Sequence, residues 1–174
     1  HLLFFIALVA NLSFAQQWHT EEGKPVPDSD AQKSGKSFGA QLIQTNKDEE
    51  LSTNWNKPSE GVFVDTSSTV RRNEAISAFI VFTGCKEDAD GNCRLVVEFT
   101  VTQPDGKLYA QTQAMEVWYD KMKPPLPALG LSVDYLKTVF SPGELVGRYE
   151  ILAKVSDLNS NESLILESWF VAEE

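Results

Sequence analysis

Residues 76–101 constrain the fold more than any other stretch. An apolar run leads into Gly84-Cys85, an acidic turn (KEDADGN) follows, and Cys93 opens a second run in which apolar and polar residues alternate. Cys85 and Cys93 are the only cysteines in the chain. The construction this predicts is a β-hairpin whose two strands are stapled across their turn by a disulfide, with the other strand-like segments arranged around it. The spacing is not that of a C-x-x-C redox pair, and no neighbouring residue is placed to lower a thiol pKa.

A disulfide needs an oxidising compartment, and the N-terminus supplies the route to one. Residues 2–12 are almost purely apolar, and Ser13-Phe14-Ala15 puts small residues where a signal peptidase reads. Residues 1–15 are therefore expected to be a secretory signal, with the mature chain starting at Gln16 and a periplasmic or secreted location. The apolar run is too short to cross about 30 Å of hydrocarbon, and no transmembrane segment is expected elsewhere. The chain starts at His1 without a basic n-region, so further residues are expected upstream. A net charge of −10 and a pI near 4.7 argue against nucleic acid as a partner, because its binders need a basic patch. They argue equally against docking on anionic lipid.

Residues 16–38 are polar, charged, Gly or Pro apart from Trp18, and read as a flexible tail that cannot bury enough apolar surface to order itself. Residues 39–174 are then one domain. Residues 39–45 are extended, and 48–56 form a short helix with Leu51 and Trp55 four apart on one face, ended by Pro58. Beyond it the period changes to two. Val62 and Val64 mark a short strand. Residues 75–83 (AISAFIVFT) read as a central strand covered on both faces. In 94–102, Leu95, Val97, Phe99 and Val101 share an inward face. After a turn at 104–106, residues 107–118 form another strand, and 119–130, with Pro124, Pro125 and Pro127, are irregular. Residues 131–140 fit either a bulged strand or a turn of helix. Tyr149, Ile151, Ala153 and Val155 point inward from 147–157, and Leu164, Leu166 and Phe170 from the closing strand. Seven or eight short strands separated by Pro, Gly, Asn and Asp turns predict an all-β antiparallel sandwich with one short N-terminal helix.

Gly147-Arg148-Tyr149 followed by Ile151, Ala153, Val155 and Asp157 resembles the penultimate strand of immunoglobulin-like and fibronectin type III-like domains. In those domains a tyrosine near the strand start bonds back across the corner. The closing strand, Leu164-x-Leu166-Glu167-x-x-Phe170, fits the same architecture. Trp55-Asn56-x-Pro58-Ser59, Val70-Arg71-Arg72-Asn73-Glu74, Phe82-Thr83-Gly84-Cys85, Gly91-Asn92-Cys93 and Pro104-Asp105-Gly106 resemble the pattern of uncharacterised exported proteins of Gram-negative bacteria. Asn73 stands where that group is expected to carry glycine. The resemblance implies compartment and fold but brings no activity. With both cysteines assigned to one hairpin, the inter-sheet disulfide of antibody domains is expected to be missing.

Chemistry-bearing constellations are sparse. Asp88-x-Asp90-x-Asn92 has the oxygen spacing that opens a calcium loop, but Cys93 stands where that loop needs glycine and Phe99 where it needs glutamate. An acidic turn is the simpler reading, and neither a metal nor a cofactor is expected. His19, the one histidine past the signal, lies in the expected tail, which leaves Ser-His and Cys-His catalysis without a base. Trp118, Tyr119, Met122, Pro124 and Pro125, beside lysines, have the composition of an interface anchor. The expected function is therefore a non-catalytic interaction or accessory module for another envelope or secreted protein. It would work through 118–125 or a sheet edge open to strand addition. Two alternatives are a protease inhibitor presenting the 86–92 or 119–130 loop, and a small envelope polysaccharide hydrolase using a pair among its 25 acids.

Overall fold

Ten consecutive residues almost without a polar side chain can form a stable strand only where both sheet faces are covered. β4 (Ala75–Gly84) meets that condition, with nine of its ten residues buried. Its even-numbered residues Ile76, Ala78, Ile80 and Phe82 point into the main core, while Phe79 and Val81 point into a second cluster on the opposite face. The computed structural model describes residues 18–20, 22–55, 57, 64–125 and 128–174. The expected signal at 1–15, Pro58, and the Val62 half of the expected short strand lie outside them. Val64 and Asp65 are described and belong to no strand.

Around β4 stand β1 (Gln32–Ser34), β2 (Phe38–Thr45), β3 (Thr69–Arg71), β5 (Asn92–Thr102), β6 (Leu108–Gln111), β7 (Met115–Met122), β8 (Gly130–Leu131), β9 (Leu136–Val139), β10 (Gly147–Asp157) and β11 (Glu162–Glu173). One sheet runs β1-β2-β4, with β8 and β9 sharing the far edge of β4; the other runs β3-β11-β10-β5, with β6 and β7 sharing the far edge of β5. All these pairings are antiparallel except that of β3 with β11. This is the A-B-E and A′-G-F-C-C′ arrangement of an immunoglobulin-like sandwich. The described strands outnumber the seven or eight expected because both outer strands are broken and because β1 and β3 were not anticipated. Between β6 and β7, Thr112 takes both backbone bonds of Phe99, donating its N–H at 3.0 Å and accepting at Oγ1 at 3.0 Å. The ambiguous stretch 131–140 is strand, split where Val133 and Asp134 cross over to bond β7.

Between the sheets, Leu95, Val97, Phe99 and Val101 of β5 meet Tyr149, Ile151, Ala153 and Val155 of β10 and Leu166 and Phe170 of β11, as their alternation predicts. Tyr149 lies flat on Phe170, with ring centroids 5.0 Å apart. Its hydroxyl donates to the Leu145 carbonyl at 2.9 Å, which is the corner bond that the resemblance implied.

The disulfide forms, with Cα atoms 6.1 Å apart, but not across a hairpin. β4 and β5 lie in different sheets, so Cys85–Cys93 closes an arch between the two layers. The reason lies in β4 itself: a strand buried on both faces receives β5 against a face, while its edges are taken by β2, β8 and β9. The turn 86–92 is held by the β10–β11 hairpin. Buried Asp157 accepts the Lys86 N–H at 2.8 Å, and Asn159 donates to the Lys86 and Asn92 carbonyls at 2.9 and 3.1 Å.

The expected tail is also corrected. β1 pairs with β2, and Trp18 is buried, its indole N–H donating to the Lys33 carbonyl at 3.1 Å. Burial of Trp18 on the second cluster, the β1–β2 pairing and the bonds of Lys36 and Ser37 to Glu162 together offset the cost of ordering the segment. Ordered structure therefore begins by Trp18 rather than at residue 39.

Candidate binding site

The helix α1 (Asp48–Trp55) forms as its Leu51/Trp55 spacing predicts and lies on the outer face of the β2/β4 sheet. Leu51 is buried with Trp18, Ile43, Phe79, Val81 and Leu131, and Trp55 packs at the margin of that cluster. Asp48 pins the helix start. Its carboxylate accepts the Lys137 ammonium at 2.8 Å and the Tyr135 hydroxyl at 3.0 Å, and Tyr135 stacks on Phe79 with centroids 4.2 Å apart. Burial alone would raise the Asp48 carboxyl. The hydrogen bonds from Lys137 and Tyr135 and the Lys137 charge outweigh it and hold the group below its ordinary value.

With its start fixed, α1 projects Trp55 from its last turn toward the segment leading into β8. There the indole N–H donates to the Leu129 carbonyl at 3.3 Å. Trp55 and Leu129 thereby form a ridge shared by two depressions. One, of about 450 Å³, is floored by Ile43 and Val81 and bordered by Gln41, Val64 and Thr66. The other, of about 380 Å³, lies between Trp55 and Trp118 and takes in Pro124, Lys121, Ser52 and Ser132. None of the described residues lining either one is an aspartate, glutamate or histidine. The first depression is mainly apolar, whereas the second sets its aromatic walls against polar surface that includes Ser52, Ser132 and the Lys121 ammonium.

The residues singled out at 118–125 are not all on this surface. Trp118 lies in a strand as expected, but β7 continues to Met122, so Tyr119 and Met122 belong to that outer strand rather than to an irregular connection. Trp118 meets Phe82 edge-on at 5.4 Å. Its indole N–H donates to the Lys121 and Met122 carbonyls at 3.2 and 3.1 Å, a fold-back that Asp120 permits by adopting φ +48°. Pro124 is buried beside it and Pro125 is exposed. Tyr119 faces elsewhere, hydrogen-bonded to the Arg94 guanidinium that also stacks on its ring. Met122 is 73% exposed. Trp118 and Pro124 thus join Trp55 in the second depression, and Tyr119 and Met122 do not line it. Trp55 and Leu129 were missed as partners of Trp118 because their juxtaposition depends on how α1 sits on the sheet.

Strand addition at β7 meets an edge already in use. Val133 and Asp134 donate backbone N–H groups to the Val117 and Glu116 carbonyls at 3.1 and 3.0 Å, and the Trp118 indole serves those of Lys121 and Met122. At the acidic turn, Asp88 Oδ1 accepts the backbone N–H groups of Asp90 and Asn92, each at 2.9 Å. Among the described residues no three His, Cys, Asp or Glu side chains converge as metal ligands. The turn backbone is bent and internally bonded. Arg72 is engaged too, its fork bonded to the Glu174 carboxylate at 2.7 and 2.6 Å. Among the described residues no helix is long and apolar enough to cross a membrane.

No family model and no curated protein matches this chain. Among solved structures it is similar to a Niemann-Pick type C2 protein from the Japanese carpenter ant, at TM-score 0.42 and 9% identity over 76% of this chain and 89% of that one. A CARDB domain from Pyrococcus furiosus, solved in complex with di-metal ions, is similar at TM-score 0.38 and 10% identity over 85% and 99%. A family 123 glycoside hydrolase from Clostridium perfringens is similar at TM-score 0.43 and 8% identity over 79% of this chain, which spans 27% of that enzyme. Likenesses this distant carry no argument about activity or ligand.

Proposed function

We propose that this protein is an exported, non-catalytic binding module of the bacterial envelope. In this reading it takes a basic, extended segment of a partner protein in the paired depressions on either side of Trp55. The observation that carries the reading is the Trp55–Leu129 ridge, an aromatic and aliphatic wall held by a hydrogen bond between two elements. Such a rigid apolar anchor site is what interface hot spots are built from. The net charge of −10 supports a basic partner, since long-range attraction raises association rates toward complementary charge. The disulfide and the apolar N-terminal stretch support export.

Selection of displayed peptides on the purified protein tests the reading. Selected peptides should pair an aromatic or aliphatic anchor with flanking Lys or Arg, and Leu129→Arg should abolish their binding without moving the melting temperature. Leu129 is 40% exposed, so the substitution alters the ridge and not the core. Binders indifferent to Leu129→Arg, or no enrichment at all, would overturn it.

A further inference from the structure

The outer face of the sheet formed by β5, β10 and β11 carries three half-exposed apolar side chains: Leu152, Ile165 and Trp169 are 39, 44 and 41% exposed, with Ser29, Asp30 and Ala31 bordering the patch beside Trp169. The register shows that they are contiguous. Leu152 stands opposite Glu167, Lys154 opposite Ile165, and Glu150 opposite Trp169. Leu152 is thus the diagonal neighbour of both Ile165 and Trp169, close enough for large side chains to meet. Arg148 lies over the Trp169 ring at 4.8 Å. Arg148 and Lys154 alternate with Glu98, Glu150 and Glu167, so the face is close to neutral in a chain whose net charge is −10.

The arrangement is self-complementary. A two-fold axis laid across the strands, along the row Thr100–Leu152–Glu167, exchanges the positions two residues before and after that row. Lys154 of one copy then faces Glu150 of the other, Ile165 faces Trp169, and Leu152 meets its own counterpart. An isologous interface requires a surface of this kind. The pairs formed within one copy, Arg148–Glu150 at 2.7 Å and Lys154–Glu98 at 3.5 Å, are exposed and worth little by themselves, so they can re-pair across the axis. We infer that this face binds a second copy of the chain, making a two-fold dimer on the side opposite the β2/β4 sheet. The inference stands independently of the groove beside Trp55. One pair opposes it: Glu167 meets Glu167 across the axis.

Sedimentation equilibrium on the protein purified from producing cells tests this, with circular dichroism confirming that each variant folds. The wild type should dimerise, and Leu152→Arg should be monomeric, melting where the wild type melts once diluted to monomer. Lys154→Glu and Glu150→Lys should each weaken the dimer by at least about tenfold, since each places like charges opposite one another. The double variant Lys154→Glu/Glu150→Lys should recover, and Glu167→Gln should tighten association. A wild type that stays monomeric to concentrations on the order of 100 μM, or a dimer untouched by Leu152→Arg, would overturn the proposal. So would a double variant no better than the singles.

Discussion

Trp55 donates its indole N–H to the Leu129 carbonyl at 3.3 Å, joining the last turn of α1 to the residue that leads into β8. The ridge is therefore a tertiary construction whose shape depends on both elements. Trp55→Phe keeps an aromatic wall but removes the tie, and should weaken peptide binding without abolishing it. Trp55→Ala should abolish binding while lowering stability less than the about 2–5 kcal/mol of a Leu→Ala change in a core, because Trp55 lies at the margin of its cluster. Titration calorimetry and chemical denaturation separate the two effects.

Gly130 should tolerate no side chain. A Cβ there would stand 2.2 Å from the Phe82 ring, the same ring that supports Trp118. Gly130→Ala should cost at least about 1–3 kcal/mol through overpacking, and the displaced Phe82 should shift Trp118 fluorescence. Unchanged stability and an unchanged spectrum would mean that the β8–β4 contact is looser than described.

Replacing both cysteines with serine should lower stability by about 2–3 kcal/mol, the chain-entropy value for so short a closed loop. The bridge joins layers and does not set the register of a strand pair. Amides in 86–92 should therefore exchange faster, while those pairing β4 with β2 and β5 with β10 keep their relative protection. Loss of protection in those two pairings ahead of the rest would show the bridge setting strand register after all.

Asp48 predicts the acid limb of the stability curve. Its carboxyl is held below the unfolded value, so its contribution is complete above the unfolded pKa, about 3.9, and is lost as pH falls through the folded one. Asp48→Asn should lower stability near neutral pH by about 1–2 kcal/mol and flatten the fall below about pH 4. Part of that fall should persist, because Glu162 behaves alike. Burial would raise its carboxyl, but hydrogen bonds from Ser37 and from the Lys36 and Ser37 amides hold it low. Melting temperatures of both proteins across that range check the prediction.

Face assignments were legible in the sequence wherever alternation was clean. Leu95 to Val101, Tyr149 to Val155, and Leu166 with Phe170 all point where their period of two puts them. The corner bond of Tyr149 was implied by the resemblance of its strand to immunoglobulin-like domains, and periodicity alone carried only its inward face. Pairing was less legible. Periodicity says which face is buried but not which strand lies alongside, so Cys85 and Cys93 read as a hairpin when they span two sheets. Composition misled twice. The polar run after Trp18 hid β1, and the prolines after Met122 made part of β7 look irregular. The helical face that Trp55 shares with Leu51 was legible, but its meeting with Leu129 across a long stretch of chain left no local signal.

Photo-crosslinking in producing cells tests the central claim most directly, with a photoreactive amino acid placed at position 129 or at position 108. Leu108 is the control because it is more exposed than Leu129, 60% against 40%, yet lies on β6, away from the ridge. A discrete adduct from position 129, absent from position 108 and lost in Trp55→Ala, is the predicted result. Equal adducts from both positions, or an adduct at 129 that survives Trp55→Ala, would contradict the assignment of this groove as the binding surface.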